Sequence, residues 1–196
     1  MQRIDRLHLS AHPDNHAKWT PFIGLLKRIK SLAWSKKILM ETQMNPSDQS
    51  VFSAPGAGHI AHGFGPHRIR LASGDTAGRL GVFEAEVPKG SGPPLHVHER
   101  EEELFRVLEG AFAFWCNGIR VDPGAGGVIA IPRGAVHRFE NIGAAPERLM
   151  VVMTPGGFEG FFSAVETETP ENPQALDALA ARFDLRFVPA RADKAA

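Results

Sequence analysis

The sequence is poor in thiols, has no tyrosine and contains no long apolar run. Its one cysteine among 196 residues, Cys116, excludes an internal disulfide and is typical of a protein kept in a reducing cytoplasm. Because Cys116 ends the apolar run 112–116, we expect a buried, unreactive thiol there. No apolar stretch reaches the roughly 18 residues that span a bilayer, and no signal-peptide core is present. We therefore expect no membrane association and predict a cytoplasmic location.

The chain also lacks an excess of charge of either sign. Its 22 basic and 22 acidic residues cancel, so no whole-chain field favours nucleic acid or an acidic membrane. The balance is uneven, because residues 1–43 carry a net charge of +5. Within them, apolar residues recur at helical spacing among lysines and arginines over 19–40, which predicts a basic amphipathic helix. Three interpretations stay open: a surface-seeking or targeting segment, a helix packed on the main domain, or sequence upstream of the true translation start.

Glycine, proline and phenylalanine are abundant, with 20, 15 and 13 residues, which suits a turn-rich β-fold with an apolar interior. Short apolar runs between turn signals, without long helices between them, predict an all-β jelly-roll barrel of two facing sheets. Residues 157–165 and 173–183 are predicted to form short helices that cover the barrel, and 188–196 to fray. The predicted strands are 68–72, 80–87, 95–98, 103–108, 111–116, 119–121, 128–131, 137–141 and 148–153.

Three histidines and a glutamate recur at short intervals in residues 90–141. In a strand, residues two apart project to one face, so His96 and His98 are expected to point together. Glu103 belongs to the next strand, and His137 is expected to close the site from the side opposite the first two ligands. Three imidazoles and one carboxylate suit one divalent transition metal, namely Fe, Mn, Ni or Cu with Zn possible, and suit Ca or Mg poorly.

Glu103 is also the candidate catalytic residue, since a carboxylate can act both as a ligand and as a proton acceptor for an acidic enol or phenol. Four protein ligands leave two positions of an octahedral ion open, so chemistry is feasible. The neighbouring Glu102 is the competing assignment. Glu103 is preferred because it shares a strand face with Phe105 and Val107.

These residues resemble the two motifs of the cupin family, G-x5-H-x-H-x3-4-E-x6-G and G-x5-P-x-G-x2-H-x3-N. The matching residues are Gly90, His96, His98, Glu103 and Gly110 in the first motif and Gly126, Pro132, Gly134, His137 and Asn141 in the second. The resemblance implies a double-stranded β-helix barrel. The predicted organisation is a basic extension over 1–43, a loop or leading strand over 44–66, the cupin barrel over 67–155, and C-terminal helices and tail over 156–196.

Residues 93–101, 105–110 and 154–162 are similar to the bacterial quercetin 2,3-dioxygenase-like branch. The similarity implies a metal-dependent dioxygenase that acts on an aromatic or enolic small molecule with O2. A non-catalytic small-molecule-binding metallo-cupin and a metal-assisted isomerase or lyase are the alternatives. Because this chain has one motif pair where such enzymes commonly have two, a homodimer is expected. The apolar pocket is predicted from Phe105, Val107, Phe114 and Phe139.

Three further histidines, His59, His62 and His67, lie in or beside the glycine-rich stretch 45–66. Their spacing suits neither one strand face nor one regular helix. We therefore predict exposed loop histidines rather than a second metal site.

Overall fold

The computed structural model describes residues 50–189, so the predicted N-terminal helix lies outside the described residues. Eleven strands and two helices occur within this range. They are β1 (His59–Ala61), β2 (His67–Leu71), β3 (Gly81–Val87), β4 (His96–His98), β5 (Glu102–Glu109), β6 (Phe112–Cys116), β7 (Ile119–Val121), β8 (Val128–Ile131), β9 (His137–Asn141), β10 (Glu147–Thr154), α1 (Gly160–Glu168), α2 (Pro173–Ala181) and β11 (Leu185–Phe187).

The strands form two antiparallel sheets. One has six strands in the order β1-β2-β3-β10-β5-β8, and the other has five in the order β11-β4-β9-β6-β7. Two antiparallel sheets with short helices after the last barrel strand agree with the predicted double-stranded β-helix. All nine predicted strands are present, and the structure adds β1 and β11.

Strand alternation places the apolar side chains between the sheets. In β3, Phe83, Ala85 and Val87 are buried while the glutamates between them are not. Residues two apart share a strand face, so a row of apolar side chains on one face of each strand forms one core. Cys116 packs against this core but is only half-buried, so the prediction of a buried thiol was wrong. It is the last residue of β6, where the strand leaves the interior.

The C-terminal segment does more than cover the barrel. Helix α2 begins after Asn172, whose side-chain oxygen accepts a hydrogen bond from the Ala175 N–H, with Pro173 in its first turn. Strand β11 then pairs with β4, which carries two of the histidines. Hydrogen bonds from Val188 N–H to the Leu95 carbonyl and from Glu99 N–H to the Asp184 carbonyl extend this pairing at both ends. The segment therefore belongs to the sheet that holds the site.

A turn that contains Gly134 precedes β9 and positions the third histidine, His137. Gly134 has φ +78°, which favours glycine, and its N–H donates to the His98 carbonyl at 2.9 Å. The turn ahead of β9 is thereby attached to the end of β4. This attachment sets the position of His137 relative to His98.

Candidate metal centre

One donor atom from each of His96, His98, Glu103 and His137 lies within 4.8 Å of the others, and all four side chains are buried. The structure thus brings together all four residues that were predicted as ligands. Each comes from a strand whose inward face continues the apolar core. Neighbouring core residues therefore hold these polar groups in place.

The arrangement of the ligands differs from the prediction in one respect. His137 does not close the site from the opposite side, because β9 and β4 are neighbours in one sheet and His137 pairs directly with His96. The centroids of these two rings are 4.1 Å apart. Glu103 instead approaches from β5 in the other sheet. Two antiparallel partners in register place their side chains on the same face, which the spacing alone did not reveal.

Glu103 is in direct contact with two of the imidazoles. Its Oε2 lies 2.9 Å from Nε2 of His137 and 3.6 Å from Nε2 of His98. The competing residue Glu102 is exposed, since successive strand residues point to opposite faces. The geometry therefore favours Glu103 in the choice between the two glutamates.

Two of the histidines are oriented by the backbone. His96 Nδ1 lies 2.8 Å from the Pro94 carbonyl oxygen, and His137 Nδ1 lies 3.0 Å from that of Ala135. A carbonyl oxygen only accepts, so in each ring Nδ1 carries the proton and donates it. In the neutral rings, Nε2 is then free to act as a ligand.

Burial keeps the β4 imidazoles uncharged. Burial, together with the charge of His137, lowers the pKa of His96 to about 3. Burial also lowers the pKa of His98 to about 2, with contributions from His96 and His137. Neutral imidazoles are the form that binds a metal, so both rings are ready to act as ligands at neutral pH.

The Glu103–His137 pair behaves differently, because it holds a proton. Burial raises the pKa of Glu103, against the hydrogen bond and charge of His137. Burial alone lowers the pKa of His137, but the hydrogen bond and the charge of Glu103 outweigh it and the net shift is upward. Because the pKa values of both groups are raised, the metal-free Glu103–His137 pair retains a proton between Oε2 and Nε2. A cation bound at these atoms has to displace it.

A cavity of about 490 Å³ opens beside the four residues and is lined by His96, His98 and Glu103 together with mostly apolar groups. Phe105 and Phe139 line it as predicted, whereas Val107 and Phe114 do not. Both are fully buried, and the Phe114 ring packs on those of Phe105 and Phe139 with centroids 4.9 and 5.7 Å away. Phe114 therefore supports the cavity wall from behind.

Much of the wall comes from residues that the sequence analysis treated as a simple cover. Phe158, Phe161 and Phe162 line the cavity from α1 and the segment before it, and Leu185 and Phe187 line it from β11. Phe158 packs edge-on against His98, with ring centroids 4.3 Å apart. Among residues 50–189, no lysine or arginine lines the cavity. The cavity therefore suits an apolar ring better than a phosphate or carboxylate.

His67 is a cavity residue that the sequence analysis missed. It is the first residue of β2, half-buried, and its ring stacks on Phe162 with centroids 3.6 Å apart and planes inclined by 11°. Its Nδ1 lies 3.0 Å from the Gly65 carbonyl oxygen, and burial lowers its pKa to about 4. His59 and His62 are exposed as predicted, but His67 is not. A strand prediction begun one residue earlier would have included it.

Residues 83–153 match the family model of the cupin domain. Both motifs lie within this range, and the two-sheet fold agrees with the match to the cupin domain. It is 32% identical over 123 residues to the quercetin 2,3-dioxygenase of Bacillus subtilis, a match that covers 60% of this chain and 35% of that one. It is 35% identical over 74 residues to an uncharacterized protein of Methanocaldococcus jannaschii, covering 38% of this chain and 59% of that one.

The chain thus spans about a third of the length of the Bacillus enzyme and somewhat over half of the length of the Methanocaldococcus protein. Among solved structures, a predicted oxalate decarboxylase from Thermotoga maritima superposes with a TM-score of 0.47 at 24% identity. That match covers 55% of this chain and 99% of the other. Neither helix of the described residues is long and apolar enough to cross a membrane.

Proposed function

We propose that this cupin is a metal-dependent dioxygenase that acts on an aromatic or enolic small molecule, in the manner of quercetin 2,3-dioxygenase. The observation that carries the proposal is a buried three-histidine, one-glutamate cluster that opens onto a mostly apolar cavity, to which residues 50–189 contribute no lysine or arginine. The similarity to the Bacillus enzyme supports the reaction class.

The donor set fits a divalent transition metal. His96 and His137 use Nδ1 for backbone hydrogen bonds, which leaves Nε2 for the ion, and Glu103 adds one anionic oxygen. Nitrogen and oxygen donors without thiolate favour Fe, Mn, Ni or Cu, and also accept Zn. His98 completes the set as the second ligand from β4.

An ion held by His96, His98, Glu103 and His137 would supply Lewis-acid and redox chemistry for a reaction with O2. Glu103 would take the proton from the substrate hydroxyl onto a carboxylate oxygen. The phenylalanine walls hold the ring beside Glu103 and exclude water. Both atoms of O2 enter the substrate, so the reaction needs no external reductant.

The test begins with the metal content of protein purified without a histidine tag, measured by inductively coupled plasma mass spectrometry. About one Fe, Mn, Ni or Cu per chain is expected. The variant His96→Ala/His98→Ala should lose the ion and remain folded. The matched control His59→Ala/His62→Ala, at two exposed histidines, should keep it.

Oxygen uptake with flavonols and other enolic compounds then tests the reaction. The Fe, Mn, Ni or Cu form should consume O2 in step with substrate loss, and the redox-silent Zn form should not. Turnover that is equal in the Zn form and independent of O2 would assign a metal-assisted isomerase or lyase instead. Substrate binding without turnover in any metal form would assign a binding protein. A homodimer and a cytoplasmic location stay predictions from the sequence.

A further inference from the structure

The geometry points to Glu101 as a positioning residue that accepts a hydrogen bond from His98 Nδ1 and so fixes Nε2 of His98 as the ligating nitrogen. This inference rests on the proposed metal site and adds a residue to it. Glu101 belongs to neither cupin motif, and it lies in the short connection between β4 and β5.

Within residues 50–189, two buried side-chain polar atoms lack a hydrogen-bond partner, and they face each other. They are His98 Nδ1 and Glu101 Oε2, which lie 3.9 Å apart. An unsatisfied buried polar atom costs about 1–3 kcal/mol, so such groups are normally paired. A shift of about 1 Å between these atoms gives both a partner at ordinary hydrogen-bond distance.

The other two ligand histidines show what His98 otherwise lacks. In His96 and His137 the Nδ1–H is held by a backbone carbonyl two residues earlier in the chain. Among the described residues no carbonyl takes this role at His98, a residue that is 2% exposed. Glu101, itself 2% exposed, offers the acceptor in that place. A carboxylate behind a ligating imidazole fixes its tautomer and orientation.

A purely structural role explains Glu101 less well. Its basic neighbour Arg100 is half-exposed, with Nη1 3.9 Å from Oε1, too far for a hydrogen bond. A buried carboxylate with so few partners is unfavourable for folding alone, and an apolar residue of similar size is often tolerated or stabilising at such a site. A carboxylate at this position is therefore better explained by the hydrogen bond that it accepts from His98 Nδ1.

The first experiment reads the histidine tautomers of metal-free protein by long-range proton–nitrogen NMR correlation. In the wild type, His98 should carry its proton on Nδ1, as His96 and His137 do. In Glu101→Leu, which keeps the volume and should fold, His98 should shift toward the Nε2–H form while the other two rings stay unchanged. In Glu101→Gln, whose amide oxygen still accepts, the wild-type tautomer should return.

The second experiment measures Ni²⁺ affinity by competition with a chelator. Glu101→Leu should weaken binding 10–100-fold, the range known for such outer partners, and Glu101→Gln should recover part of the loss. The control Glu102→Gln, at the exposed neighbouring glutamate, should bind as the wild type does. Unchanged tautomer and affinity in Glu101→Leu would overturn the assignment of Glu101. If the wild type binds no Ni²⁺ at all, it is the metal site that fails.

Discussion

Glu103 and His137 meet across the two sheets, with the carboxylate Oε2 2.9 Å from the imidazole Nε2. This contact joins β5 of the six-stranded sheet to β9 of the five-stranded sheet at the cavity. It also places the retained proton between two of the proposed ligand atoms. The site is therefore self-neutralised when it is free of metal.

Metal binding should release that proton. Calorimetric titration with Ni²⁺ in buffers of different ionisation enthalpy should show about one proton released per ion near pH 7, and affinity should rise with pH. Glu103→Gln should release fewer protons, because His137 loses the partner that raises its pKa. Its affinity should fall by more than the roughly 100-fold typical of an outer partner. Proton release that is equal in both proteins would contradict this account.

His67 should make the metal-free protein sensitive to acid. Its folded-state pKa of about 4 lies below the ordinary 6.5, so the unfolded chain binds a proton first as pH falls. The stability it contributes is complete above pH 6.5 and is lost toward pH 4, at up to about 1.4 kcal/mol per pH unit. His67→Phe retains an aromatic ring against Phe162. It should make the free energy of unfolding less dependent on pH between pH 4 and 6.5. Urea unfolding of both proteins at several pH values measures this difference. The same pH dependence in wild type and variant would contradict the role of His67.

Asn141 should be important for stability rather than for chemistry. It is 0% exposed, its Nδ2 donates to the carbonyls of Val87 and Ala145, and its Oδ1 accepts from Gly143 N–H. Asn141→Ala leaves these groups without partners, at a cost of roughly 3 kcal/mol in the free energy of unfolding. Asn172→Ala, at the exposed start of α2, serves as the control and should cost about 1 kcal/mol. Equal losses in urea unfolding would disprove the special role of Asn141.

Gly92 should not tolerate a methyl group, although its backbone conformation is ordinary. A Cβ at this position would collide with the carbonyl oxygen of Phe139, where the loop before β4 crosses β9. We expect Gly92→Ala to lose about 1–3 kcal/mol of unfolding free energy, because the obstacle is backbone. At Gly74 a Cβ meets nothing within 4 Å, so Gly74→Ala should stay within about 0.5 kcal/mol of the wild type. A neutral Gly92→Ala would show that the loop can move aside.

The central strands and the ligands were predictable because their signals are local. The predicted bounds of β7, β8 and β9 agree with the structure, and alternation separated Glu103 from Glu102. Strand β11 was missed because three residues carry no periodic pattern and its partner lies almost ninety positions earlier. The side from which His137 approaches depends on strand order, which spacing does not encode.

The cavity was the least predictable part. Phe158 and Phe161 reach it from a segment far from His67 in sequence, so no spacing rule connects the two phenylalanines with the histidine. Val107 and Phe114 have the same apolar, inward-facing pattern as Phe105 but lie in the core instead. Whether an inward residue meets a cavity or another side chain depends on how the two sheets close, a property of the whole barrel.

The pairing of β11 with β4 can form only late in the synthesis of the chain. Strand β4 has three residues, and its neighbours in the sheet, β9 and β11, are both made later. A growing chain can therefore present His96 and His98 long before the strand that flanks them exists, and contacts between distant segments form slowly. Strand β4 acquires its last neighbour, β11, only when residues 185–187 have left the ribosome. Until then a nascent chain has unpaired backbone beside its histidines, and an unpaired strand edge favours misfolding and aggregation.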